Sequence, residues 1–467
     1  MYPSSYVEEG EGRFLLCKTE GEKKILAMGK GDFFSELDGA CLSDTVKLCP
    51  LSHRNRLVLN KYLPYTRPAA FGRKTATFGT GDRLGLATPG HIRCFRSSAA
   101  KPVLAQQSKR ELDLTGRSFE QVLDDVCFAV FREGYRGGFG ADGDHLKKAE
   151  DIKDALDCGY TMITLDCSER MGKGIDRLGV PELAEVYLTL TADYRARIEH
   201  SYLSKGFLIA GEEYSFSEEE LMRCALIYRG AVDFVEEVWS AYLKNLAREV
   251  DLELSIDETE SVTAAKGHLF VAMELAYHGI EVTSLAPRFI GEFQKGIDYI
   301  GDLGAFEAQL KQHAAIARHF GYKLSIHSGS DKFSVYPLIG KYTEGLLHIK
   351  TSGTNWLEAI GAIAVKNPAL YRRLHHKALE HFNEAKIHYH VSGDPDKVEE
   401  PERKPDEALI EYLKDDNSRQ LLHITYGYIL EDAGLKREIY QTLEECEELY
   451  FERLISHIGR HLRLAGV

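Results

Sequence analysis

Eight short apolar runs, spaced along the middle of this 467-residue chain and separated by helical patterns, constrain its fold more than any other feature. They are TATFG (75–79), PVLAQQ (102–107), GGFGAD (137–142), YTMITLD (160–166), LELSID (252–257), EVTSLA (281–286), KLSIHS (323–328) and LLHIKT (346–351). Strands that alternate with amphipathic helices build parallel sheets, and eight such units close into a barrel. The helices between them carry stop signals: SFEQVLDDVCFAVFREG opens at Ser118 and closes at Gly134, and DLGAFEAQLKQHAAIARHFG opens at Asp302 and closes at Gly321. In the second, Leu303, Phe306, Leu310, Ala317 and Phe320 share one face, as packing on a sheet requires.

Other stretches lie outside this grammar. RFLLCKTEGEKKILAMG (13–29) reads as a hairpin turning at Glu-Gly, so residues 1–70 are expected to form a β-rich extension. Within the expected barrel, 71–366, the segment 181–250 is too long for one crossover helix and reads as a helical insertion. Residues 367–467 read as a helical appendage, interrupted by a Pro-rich, charged turn or linker at 388–408. The expected class is therefore α/β, a (β/α)8 TIM-type barrel with three additions.

A net charge of −14 without a long Lys/Arg run argues against nucleic acid or an anionic membrane surface as partner. The N-terminus has no basic and apolar leader pattern, and no stretch reaches the roughly 18 apolar residues of a membrane span. The expectation is a cytoplasmic protein acting on a small molecule, with nine scattered cysteines kept reduced.

Three of the runs end in acids or histidines where they give way to loops: GADGDHLK, TMITLDCSE and KLSIHSGSDK. Side chains alternate between helix layer and barrel interior, so phase sorts them. Ile163 and Leu165 oppose Thr164 and Asp166; Leu252, Leu254 and Ile256 oppose Glu253, Ser255 and Asp257; Leu324 and Ile326 oppose Lys323, Ser325 and His327. Lys350 shares the phase of His348, and Asp142 and Asp144 join the polar set, with His145 and Glu258 just beyond strand ends. Such a convergence of charge is costly unless a metal ion or charged ligand neutralises it. Taken singly, Asp166 and Asp257 read equally well as helix caps, His348 as a core residue, and His268, His278 and His313 as structural or surface groups.

A second signal lies after the last two strands. HSGSDK (327–332) and KTSGTN (350–355) supply backbone N–H groups and hydroxyls where this fold binds anions. Ser328, Gly329, Ser330, Thr354 and Asn355 are the candidates there, with Lys332 or Lys350 as counter-charge; Arg83, in the Gly-rich rim after the first strand, and Gln107, ending the second, complete the expected substrate contacts.

The segments FGTGDRLGLATPGH, GFGADGDHLK, GYTMITLDCS, IDETES, IHSGSDKFSVYP and RQLLHITYG, in this order along nearly the whole chain, resemble the tagaturonate epimerase family. The resemblance implies a metal-dependent barrel enzyme of hexuronate catabolism that interconverts D-tagaturonate and D-fructuronate. These ketouronates differ at a carbinol carbon β to the ketone, whose C–H is not acidified. Inversion therefore requires retro-aldol cleavage and recombination, or a carbonyl shift that first acidifies that C–H. Either route calls for a Lewis acid and an acid/base pair. The expected divalent ion, zinc, cobalt, nickel or manganese, is assigned to His145, Asp166 and His327. Asp144 and Glu258 are the expected base and acid, Asp257 the substitute for either, Lys332 and the Ser328–Ser330 turn the carboxylate holders, and Lys350 a hydroxyl polariser. His423 reads as a helix-buried histidine, with a reach into the pocket from the appendage as the alternative. A metal-dependent class II type aldolase and a non-catalytic sugar-binding protein are the alternatives.

Overall fold

The expected eight strands close a parallel barrel in a computed structural model of the chain, which describes residues 1–257, 261–351 and 353–467. They are Thr77–Gly79, Lys101–Ser108, Gly140–Leu146, Met162–Asp166, Asp251–Ile256, Ser284–Pro287, Lys323–Ile326 and Leu347–Lys350, each paired with its neighbours in chain order, the eighth with the first. They are called here the first to eighth barrel strands. The helices between them take the anticipated caps. Ser118 and Gln121 form a reciprocal capping box before Phe119–Glu133, and Gly134 ends that helix with φ 56°. Asp302 accepts from the Ala305 N–H at the start of Leu303–Phe320, and Gly321 ends it at φ 76°. Leu303, placed on the packed face by periodicity, is instead exposed at the first position of the helix.

The N-terminal extension is a five-stranded antiparallel sheet, and the predicted hairpin is its centre: Gly12–Thr19 pairs with Glu22–Gly29. Its two turn residues, Glu20 and Gly21, both adopt positive φ, the geometry that matches strand twist in a two-residue hairpin. The insertion between the fourth and fifth barrel strands contains the helices Val180–Tyr187, Ala192–Tyr202 and Glu218–Val238. It also holds a small hairpin, Phe207–Ile209 with Glu212–Tyr214, which turns at Ala210–Gly211. Six residues in two strands are too few to register as periodicity. The C-terminal helices enclose an apolar core of their own and pack on the barrel rim.

The strand phases divide the barrel as expected. Ile163, Leu165, Leu252, Leu254, Leu324 and Ile349 are buried toward the helices. The interior is polar. At its floor the Asp251 carboxylate accepts from the Phe71 and Gly72 N–H groups. Above it Lys323 donates to Thr77 Oγ1 at 2.9 Å, which also contacts His348 Nδ1 at 2.9 Å, so His348 is a buried core residue held through one ring nitrogen, its Nε2 having no hydrogen-bond partner among the described residues. Among the described residues no helix is long and apolar enough to cross a membrane, and all nine cysteines are unpaired.

Candidate active site

The third strand supplies two neighbouring site residues, which regular alternation forbids. Gly143 pairs with Ile163 but Leu146 with Leu165, so three steps on one strand match two on the other. This β-bulge, with His145 in the left-handed region at φ 53°, turns both Asp144 and His145 to the interior. They are bonded to each other, His145 Nδ1 to Asp144 Oδ1 at 2.7 Å. His327 follows the seventh strand. Its Nε2 lies 2.8 Å from Glu253 Oε1, its Nδ1 3.2 Å from Asp257 Oδ1, and its ring meets that of His145 edge-on at 4.7 Å.

Below them Lys350 forms the hub of the polar interior. Its ammonium reaches Asp144 at 2.6 Å, Asp142 at 2.8 Å, Glu253 at 3.0 Å and Thr164 Oγ1 at 2.5 Å. Burial alone would lower its pKa, but the three carboxylates hold it well above the ordinary lysine value. With all its protons engaged, Lys350 is a counter-charge for the acids. Glu253, fully buried, has its oxygens shared among Lys350, His327, Thr164 and Ser284. Burial works against its ionised form, yet Lys350 and the nearby histidines keep its carboxyl well below the usual range. Asp142 goes the other way: burial, partly offset by Lys350, pushes it up to about 6. Asp144 and Asp257 lie below the usual carboxylate range despite burial, the first through His145 and Lys350, the second through His327. Burial likewise disfavours charge on His327, but Asp257 and Glu253 raise it to about 10.

His145, Asp257 and His327 each offer a ligand atom within 4.8 Å of the other two. Asp166 lines the same cavity but stands outside this trio: Oδ1 accepts from the Ser168 N–H at 2.9 Å in a turn that starts no helix, so it is not the helix cap of the alternative reading, and Oδ2 lies 3.3 Å from Lys147. Asp257 caps no helix; its carboxylate takes the Ser255 hydroxyl and faces His327. Glu258 lies outside the described residues. A second histidine group, Asp331, His457 and His461, is committed to structure: His461 Nε2 accepts from the Asp331 N–H and Nδ1 donates to the His457 carbonyl.

The cavity above the barrel holds about 440 Å³ and includes His145, Asp257, His327, Asp144, Asp166 and Lys350 in its wall. Arg83, Ser328 and Ser330 line it as well. Four other expected contacts lie elsewhere. Gln107 is in register with Gly143, whose side-chain direction points to Leu146, Ala155 and Ile163 in the helix layer, and its Oε1 accepts from Arg117 at 3.3 Å. Gln106, in register with Asp142, takes the cavity position. Lys332 is fully buried and donates to the carbonyls of Gln294, Ile297 and Ser330, so burial, which lowers its pKa to about 7, is met by backbone and not by a ligand. Asn355 donates to the carbonyls of Thr80 and Gly81 and ties the eighth strand's helix to the first strand's loop. Gly329 braces the seventh loop, its N–H donating to Lys350 O at 2.9 Å, while for Thr354 only the helical backbone, starting Thr354–Lys366, is described.

Lys295 and Tyr389 line the cavity without any mark in the sequence, and His423, whose sequence context favours a helix-buried residue, joins them. Lys295, from the loop after the sixth strand, donates to Ser328 Oγ at 2.9 Å. Tyr389, in the expected linker, and His423, on the helix Asp416–Ile424, reach the wall from the C-terminal region. His423 is helix-borne and buried as expected, but its buried ring faces the cavity.

The chain matches the model of the tagaturonate epimerase family, UxaE, over residues 2–465. It is 44% identical over 470 residues to the tagaturonate/fructuronate epimerase of Thermotoga maritima, covering 99% of this chain and 96% of that one. Crystal structures of the fructuronate-tagaturonate epimerase UxaE from Cohnella laeviribosi superpose with a TM-score of 0.97. The glycerol-complexed form is 51% and the native form 50% identical, each comparison covering all of this chain and 96% of the other. A polar-filled barrel with a histidine-carboxylate rim, matched end to end by these relatives, is an isomerase, and the chain belongs to the tagaturonate epimerase family.

Proposed function

We propose that the chain interconverts D-tagaturonate and D-fructuronate in this cavity and holds a divalent ion on His145, Asp257 and His327. The family name supplies the substrates. The observation that carries the metal reading is the bonding of the two histidines. His145 gives Nδ1 to Asp144 and His327 gives Nε2 to Glu253, so that His327 turns Nδ1 toward Asp257 Oδ1, 3.2 Å away, inside the trio. A carboxylate behind each imidazole is the usual arrangement at metal-bound histidine, where it orients the ring and strengthens the donor. A mixed N/O set suits zinc, cobalt, nickel or manganese. When bound, such an ion supplies Lewis acidity toward the sugar's carbonyl oxygen.

The chain's own groups do the proton transfers. Asp144 accepts from His145 and Lys350 through Oδ1, leaving Oδ2 to take the hydroxyl proton at the stereocentre, and its lowered pKa keeps it ionised. Loss of that proton breaks the adjacent C–C bond, forming an aldehyde and an enediolate. Rotation of the aldehyde presents its other face, the bond re-forms, and the proton returns to the hydroxyl. Glu258 is the partner acid. Asp166 orients substrate hydroxyls from the adjoining loop after the fourth strand, and Lys350 keeps Asp144 in place as substrate charge develops.

Proton NMR of D-tagaturonate with the purified enzyme in D2O, with and without chelator, tests the reading. Fructuronate should accumulate without deuterium at the inverted carbon, and chelation should stop it. Deuterium at that carbon would select the carbonyl-shift route; three-carbon products would indicate an aldolase; no new ketouronate would end the proposal.

A further inference from the structure

The C-terminal region is built into the cavity at a place where buried polar atoms are left over. Arg83 is 5% and His423 1% exposed, and both line the wall. Arg83 gives Nε and Nη2 to Glu111 Oε1 at 2.9 and 2.7 Å and stacks on Tyr426 at 3.7 Å. Its Nη1 finds no hydrogen-bond partner among the described residues, and neither does His423 Nδ1. Buried polar atoms without partners are rare and point to a bound polar group.

Neighbouring glycines locate the histidine. A Cβ on Gly353, after the eighth strand, would collide with His423 Nε2 and press on Arg83 Nη2 at 3.3 Å; one on Gly296, after the sixth, would lie 3.5 Å from His423 Cβ. His423 therefore sits between Arg83 and the loop bearing Lys295. Arg83 is paired with Glu111 through Nε and Nη2 only, so its Nη1 and the neighbouring His423 Nδ1 are the two buried polar atoms the subsite offers to a ligand. The subsite faces the first and eighth strands, and in a closed eight-stranded barrel the first strand lies across from the fifth, which carries Asp257. A sugar with its carbonyl end at the histidine trio thus extends its far end here.

We infer that His423, with Arg83 and Lys295, binds the carboxylate of the sugar acid, so that the C-terminal region sets the preference for a uronate over a neutral ketose. Burial and the adjacent cations hold the imidazole neutral, which lets it donate one N–H without adding charge. Gly353 leaves the space the ring needs. The inference rests on the proposed function for the substrate class alone.

The test compares wild type with His423→Leu, His423→Asn and Gly353→Ala, by calorimetric binding of D-gluconate and its neutral counterpart D-glucitol, and by kinetics on fructuronate. His423→Leu should lower the gluconate-to-glucitol preference and kcat/KM for fructuronate at least tenfold, the latter chiefly through KM. His423→Asn, which keeps a donor, should recover part of both. Gly353→Ala, which displaces the ring and presses on Arg83, should shift the preference in the same direction. An unchanged preference in His423→Leu, or equal losses on both ligands, would overturn the inference. A wild type that prefers gluconate but does not turn over fructuronate would refute the proposed function and leave the subsite standing.

Discussion

Replacing Lys350 by Met removes the cation that three buried carboxylates share. Its ammonium lies 2.6 Å from Asp144, 2.8 Å from Asp142 and 3.0 Å from Glu253, and none of these acids is more than 4% exposed. Removing one partner of a buried ion pair costs about 3–5 kcal/mol, because the charge left behind is neither paired nor hydrated. The acids can escape only by taking up protons. Asp142 is already raised to about 6 with Lys350 present, and must rise further without it. An acid whose folded pKa exceeds its unfolded value near 3.9 favours the fold fully below that value and loses the benefit as pH climbs through the raised one. The deficit relative to wild type should therefore be about 3–5 kcal/mol at pH 8 and shrink toward pH 5, by about 1.4 kcal/mol per pH unit for each proton taken up. Urea midpoints of both proteins at pH 5, 6, 7 and 8 measure it. Adding Asp142→Asn should recover at least about 1 kcal/mol at pH 8. A deficit that is constant, or larger at pH 5, would refute the account of the hub.

Other perturbations separate the roles within the site. His145→Ala, Asp257→Asn and His327→Ala should each lower bound divalent ion by elemental analysis, whereas Asp166→Asn should retain it; loss in Asp166→Asn would restore that residue to the ligand set. Asp144→Asn should keep the ion and lose about a hundredfold in kcat, read by NMR turnover. Acid should unfold the protein early. His313, lowered to about 4 by burial despite its contact with the Thr263 carbonyl, is neutral in the fold and takes a proton near 6.5 when unfolded. Its stability contribution is whole above 6.5 and is lost as pH falls toward 4, by about 1.4 kcal/mol per unit, so His313→Asn should flatten the acid limb of a denaturation profile.

The barrel was legible because two periods coincide in this sequence: strand alternation sorted interior from exterior, and helix caps marked the connections. The same rule misplaced residues wherever the backbone departs from regular geometry. Asp144 and His145 share an interior only because of a bulge that leaves no mark in composition. Gln106 and Gln107 exchange roles through a register shift earlier in their strand, between Val103 and Ala105. Glu253 stood in the correct phase, but its part in orienting His327 required the distance between two strands. Lys332 stands beside a Ser-Gly turn in the sequence, a pattern that fits an anion site, while the fold directs its ammonium to three carbonyls. Lys295 arrives from a loop in which nothing local points to a cavity, and His423 from a separate helix whose pattern fits a buried core residue as well as a cavity wall.

His145, Ser328 and Asp331 all adopt left-handed backbone without being glycine, at φ 53°, 49° and 65°. For an L-residue this costs roughly 1–2 kcal/mol, energy that the rest of the fold must cover. Selection for heat resistance and selection for turnover would then disagree at Ser328. Glycine there relieves the backbone but removes the hydroxyl that receives Lys295, so variants ranked by melting temperature would accumulate changes that variants ranked by rate reject.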